Sequence, residues 1–83
     1  MTRKGKVLQG IARNPKGVRF DDACAVAEWL GFQRVGGKGS HRTYGRAEEP
    51  TLLNFQNHGG YLKPYQARQL QAMVNKYAKQ ISD

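Results

Sequence analysis

Residues 32–56 read FQRVGGKGSHRTYGRAEEPTLLNFQ, and this stretch decides the fold. Extended segments at 32–36, 41–46 and 51–56 are separated by Gly36-Gly37-Lys38-Gly39 and by Ala47-Glu48-Glu49-Pro50, both of turn-forming composition. Connections this short favour antiparallel neighbours. Successive side chains of a strand point to opposite faces. Tyr44 therefore shares a face with Arg42 and Arg46, and His41 shares the other with Thr43. Tyr44 is the one large ring of its segment, so its face is predicted to pack inward, leaving His41 on the wetter side. In the third segment Leu53 and Phe55 alternate against Leu52 and Asn54, which gives one clearly apolar side.

Helical periodicity flanks the strands. Ala23, Val26, Ala27 and Leu30 form one apolar stripe. That helix is predicted to start at Asp21, whose carboxylate can cap free amides, with Asp22 favoured by the helix dipole. Gly31 stands where a left-handed C-terminal cap is wanted. Trp29 lies off the stripe's centre and reads as partly buried packing. A last helix is predicted from Pro64, with Ala67, Leu70, Val74, Tyr77 and Ile81 facing the core and Arg68, Asn75, Lys76 and Lys79 opposite. That cationic face suits plain solvation as well as RNA contact. Upstream, residues 1–6 read as a basic, mobile lead. Val7, Leu8, Ile11 and Ala12 have the spacing of a short helix that Gly10 weakens, and Asn14-Pro15-Lys16-Gly17 is a turn. The order helix, helix, three strands, helix is that of an α+β domain with helices packed on one face of a small antiparallel sheet. Residues 1–17 form a basic N-terminal extension and residues 18–83 the domain.

Charge narrows the function classes. The 83 residues carry 14 Lys and Arg against six Asp and Glu, a formal net charge of +8. No acid falls between Glu28 and Glu48, where Arg34, Lys38, Arg42 and Arg46 lie, or between Glu49 and Asp83, where Lys63, Arg68, Lys76 and Lys79 lie. Such unbalanced stretches attract polyanions through counterion release, although a solvated surface is the plainer account. Cys24 is the only cysteine, so no internal disulfide or CxxC pair exists, and its apolar neighbours make it a small core residue. No signal peptide is evident and no apolar run approaches the roughly 20 residues of a membrane span. A reducing, cytoplasmic setting without membrane attachment is expected, with the chain monomeric on its own.

The stretch from Gly36 to Arg42 is the chemically informative one. Small residues let backbone approach a phosphate, and turn amides can form an anion-binding concavity. Lys38 and Arg42 bring charge there, and histidine is the side chain whose proton moves nearest neutrality. RNA cleavage needs a base for the 2′-hydroxyl, an acid for the leaving 5′-oxygen and positive charge around phosphorus. His41 suits either proton transfer, and Lys38, Arg42 and turn amides suit the charge. His58, in Asn57-His58-Gly59-Gly60, can approach His41 if the strand ends meet, or can simply cap its turn. A glycine-rich connection is most often only a hairpin turn, and a lone surface histidine is most often inert. No carboxylate cluster accompanies either histidine, so neither metal nor cofactor is expected.

Arg19-Phe20-Asp21-Asp22, Trp29-Leu30-Gly31-Phe32 and Gly39-Ser40-His41 together resemble the HicA (YcfA-like) toxin family. Asn54-Phe55-Gln56, His58-Gly59-Gly60 and Lys63-Pro64-Tyr65-Gln66 continue the likeness, which spans residues 18–77. The resemblance implies a fold like the double-stranded RNA-binding domain and a metal-independent endoribonuclease acting on messenger RNA. It also implies restraint by a HicB-like antitoxin, and it carries the catalytic histidine onto His41. Many members have a second histidine where this chain has Arg42. Phosphate or RNA contacts are expected from Arg34, Lys38, Gly39, Ser40, Arg42, Arg46, Lys63 and Arg68. Two other readings share the basic surface: a non-catalytic RNA-binding module, and an interaction subunit for an acidic protein.

Overall fold

In the computed structural model, which describes residues 2–80, the glycine-punctuated stretch forms one antiparallel sheet in the order β1-β2-β3. The strands are β1 (Gln33–Gly36), β2 (His41–Arg46) and β3 (Glu49–Gln56). β2 has its predicted bounds. β3 begins two residues earlier than predicted, because the turn shrinks to Ala47-Glu48 with Arg46 opposite Glu49. Glu48 takes φ 66°, the left-handed conformation that tight hairpins ask for. Pro50 is tolerated inside β3 because β3 is an edge strand, where a missing N–H need not break a ladder. β1 starts one residue late: the Phe32 amide donates to the Ala27 carbonyl at 3.0 Å, completing the preceding helix.

Alternation sorts the sheet as the sequence suggests. Tyr44 pairs with Leu53, both are buried with Phe55, and the Tyr44 and Phe55 rings lie 5.7 Å apart. On the open face, Thr43 pairs with Asn54, its hydroxyl donating to the Asn54 carbonyl oxygen at 3.0 Å.

Two helices cover the buried face. α2 (Phe20–Trp29) buries Ala23, Cys24, Val26 and Ala27, and Leu30 follows into the core. It starts one residue before the predicted Asp21, and Asp21 does not cap it. The cap position is Arg19, with no side-chain bond, and the Phe20 amide donates instead to the Gly60 carbonyl at 2.9 Å. Asp21 and Asp22 both fall in the first turn, and Gly31 takes φ 90° just past the end. α3 (Pro64–Tyr77) has Pro64 in its first turn and buries Gln66, Ala67, Leu70, Met73 and Val74; a 3₁₀ turn, Ala78–Gln80, follows. The predicted stripe residue Ile81 lies outside the described residues.

The N-terminal segment is more ordered than its composition suggests. α1 (Arg3–Arg13) reaches back into the lead that was expected to be mobile. The Thr2 hydroxyl caps it by accepting from the Gly5 amide at 3.1 Å. Ile11 enters the common core, and Val7 and Leu8 pack against it. Gln71 of α3 donates to the carbonyls of Ile11 and Ala12, at 3.2 and 2.7 Å, satisfying backbone groups that a helix end leaves over. Among the described residues no helix is long and apolar enough to cross a membrane.

Candidate nucleic-acid interface

The turn between β1 and β2 is built on glycine. Gly37 takes φ 110°, and a Cβ there would stand 2.4 Å from the His41 carbonyl oxygen and 2.8 Å from the Arg42 Cα. Only glycine lets the chain pass this close to its own strand. The His41 amide donates to the Lys38 carbonyl at 3.0 Å, closing the turn. The Asn57 amide donates to the Ser40 carbonyl at 2.8 Å, joining the turn to the end of β3. Both bonds use carbonyls. Among the described residues the amides of Lys38, Gly39 and Ser40 have no backbone acceptor, which is what an anion-accepting turn requires.

His41 opens β2 opposite Gln56 and is exposed, as are Lys38, Gly39 and Ser40. Arg42 departs from the expected ring of charge around that histidine. Its guanidinium sits 5.2 Å from the centre of the Phe20 ring, on the helix side of the sheet. The neighbouring Tyr44 hydroxyl, and Cys24 after it, raise the Arg42 pKa. Arg34 shares that side. It lines a cleft with Glu28, Arg42 and Tyr44, and it makes long contacts of 3.5 Å to the carbonyls of Gly36 and Gly37. The basic residues of 34–42 thus divide: Lys38 stands with His41 at the turn, Arg42 lies against α2, and Arg34 reaches from that side to the carbonyls of the turn.

Arg46 and Lys76 are committed to structure. Arg46 donates to the Leu30 carbonyl at the end of α2, and its guanidinium lies 4.1 Å from the centre of the Tyr77 ring. Lys76 donates to Glu49 at 2.6 Å. Lys63 is the N-cap residue of α3 and half-buried, while Arg68 is exposed one turn further on. His58 is exposed, in a turn where its backbone pairs reciprocally with Tyr61 at 2.9 and 3.2 Å. Among the described residues, no three His, Cys, Asp or Glu side chains gather as a metal site would need.

Three residues that the sequence reading did not assign to the site belong to the same end of the molecule. Gln66 is 3% exposed, yet both ends of its amide are used: its oxygen accepts from the Gln56 amide at 3.0 Å and its nitrogen donates to the Tyr65 hydroxyl at 3.3 Å. Tyr61 and Tyr65 are exposed. The legible signal was Tyr61-Leu62-Lys63-Pro64-Tyr65, two rings bracketing a lysine. No protein-family model, curated protein or solved structure matches the chain.

Proposed function

We propose that this chain is a HicA-type toxin: a metal-independent endoribonuclease that cleaves messenger RNA in the cytoplasm, with His41 as its general acid or base. The observation that carries the reading is an exposed histidine at the mouth of a glycine turn, pinned by its own amide to Lys38. A phosphodiester seated on the turn amides would lie beside both side chains. Cleavage then proceeds by removal of the 2′-hydroxyl proton, attack of that oxygen on phosphorus, and departure of the protonated 5′-oxygen. The products are a 2′,3′-cyclic phosphate and a 5′-hydroxyl, and His41 carries one of the two proton transfers. Lys38 supplies charge to the phosphorane. The α-β-β-β-α order from α2 to α3 supports a double-stranded-RNA-binding-domain-like core to which α1 is added. A HicB-like antitoxin presenting acids to the turn would silence the site.

His41→Ala tests the assignment. The variant should keep the wild-type circular dichroism and melting profile, because the ring is exposed, while transcript cleavage falls by about 10²- to 10⁴-fold. Undiminished cleavage by purified His41→Ala protein would remove His41 from the mechanism. The position of Arg42 favours a second reading, an RNA-binding module without turnover, since it takes the cation next to His41 in sequence away from that ring. Intact RNA recovered from a wild-type complex, with no cyclic-phosphate ends, would establish that alternative.

A further inference from the structure

Two exposed rings stand at the end of the molecule that holds His41. Tyr61 is 43% exposed and Tyr65 is 57% exposed. Both are held in place. Tyr61 is bridged by backbone to Arg19 on one side and His58 on the other, and the Arg19 guanidinium lies 5.7 Å from the centre of its ring. Tyr65 is steadied by Gln66, which also grips the Gln56 amide, and Gln56 is the β3 partner of His41. A short series of contacts thus ties Tyr65 to the strand position facing His41. Cations alternate with the rings. Lys63 falls between them in the chain, and Arg68 follows Tyr65 by three residues, on the same face of α3.

We propose that Tyr61 and Tyr65 form a base-stacking platform that makes unpaired RNA the ligand of this protein. The inference rests on the endoribonuclease reading in taking RNA as the ligand; it adds the class of RNA and the residues that select it. A ring stacks on a nucleobase only where the base's flat face is free, and in a duplex those faces are covered by neighbouring pairs. Rings interleaved with Lys and Arg match a single strand, in which bases and phosphates alternate. An acidic protein also matches the cations, and tyrosines pack at protein interfaces too, but only an unpaired strand supplies flat faces that alternate with negative charge. Val35 and Leu52, exposed on the open sheet face, are aliphatic and offer no such surface.

The test uses a 2′-O-methyl RNA dodecamer, which lacks the attacking hydroxyl and so reports binding alone, with 2-aminopurine at its centre. The full chain should bind this strand about tenfold or more tighter than the same strand annealed to its complement, and binding should quench the 2-aminopurine. Tyr65→Ala and Tyr61→Ala should each weaken binding by about five- to a hundredfold and reduce the quenching. Tyr61→Phe should restore both, because stacking uses the ring and not the hydroxyl, and Tyr65→Phe should restore most of each, since it also gives up the hydroxyl that accepts from Gln66. The Phe variants also preserve packing should an Ala variant unfold. The platform is overturned if both Ala variants, folded by circular dichroism, bind and quench as the wild type does. It is overturned equally if Phe is no better than Ala, or if the Tyr variants lose affinity for a poly-glutamate peptide and not for RNA. RNA cleavage that persists with unchanged affinity in the Tyr variants defeats the platform alone. A wild-type chain that binds neither strand nor duplex defeats the RNA reading with it.

Discussion

Glu49 opens β3, buried, and its carboxylate accepts from Lys76, from the Tyr77 hydroxyl and from the Thr51 amide. Those hydrogen bonds, Lys76 first and Tyr77 next, hold its pKa at about 2, against an ordinary value of 4.5. A carboxylate with a depressed pKa in the folded state binds its proton more readily when unfolded. Its contribution is therefore complete above about pH 4.5 and is lost as pH falls towards about 2. The wild-type urea midpoint should fall steeply across that window. Glu49→Gln should start lower at neutral pH and lose much less across it; an acid profile parallel to the wild type would show that Glu49 is not the group responsible. Other residue roles were legible to different degrees. Alternation placed Tyr44 inward and His41 outward, and the same alternation already put Arg42 on the Tyr44 face. Adjacency in sequence suggested that Arg42 served His41, yet one step along a strand exchanges faces. Gln66 and Gln71 were illegible, because their partners are backbone groups of β3 and α1 that sequence spacing does not bring near.

At the scale of elements, the β1–β2 turn has two glycines with different duties. Gly37 needs φ 110° and has no room for a Cβ; Gly39 has φ 59° and open space around it. Gly39→Ala should cost only the left-handed strain of a single residue, about 1 kcal/mol. Gly37→Ala adds backbone collision to strain and should cost about 2–3 kcal/mol or shift the turn. Urea denaturation of the two variants checks the order; equal losses would mean that the turn relaxes freely. On the proposed endoribonuclease activity, cleavage should fall further in Gly37→Ala than in Gly39→Ala, because His41 supplies the carbonyl that Gly37 crowds. β2 and the start of α3 were legible because each has strong local markers, alternation in one and Pro64 in the other. The start of α2 was not. Asp21 has a capping side chain, but the Gly60 carbonyl meets the Phe20 amide and advances the helix by a residue. The extent of α1 was underestimated for a similar reason: Gly10 lowers its intrinsic propensity, while burial of Ile11 and the Gln71 bonds come from α3.

For the molecule as a whole, the cations of the sheet and the last helix, part of a net charge of +8, have different duties. Arg46 and Lys76 are spent on Leu30 and Glu49, and Arg42 leans on Phe20. Lys38, Lys63 and Arg68 belong to the end that holds the turn, His41 and the two exposed tyrosines. A single strand laid across that end would neutralise its phosphates there, releasing about 0.7 counterion for each contact. Removing all three cations together should therefore make the slope of log affinity against log salt shallower by about 2. Lys79 is the control. It lies beyond the far end of α3, whose 14 residues put it about 20 Å from Lys63, so Lys79→Ala should leave the slope within error of the wild type. The comparison separates a localised interface from a diffuse positive cloud. A cloud would lose slope in proportion to the charge removed wherever that charge sat, so Lys79→Ala would then take its one-quarter share of the four-residue change. Titrations of the same non-cleavable strand at four salt concentrations read the difference directly.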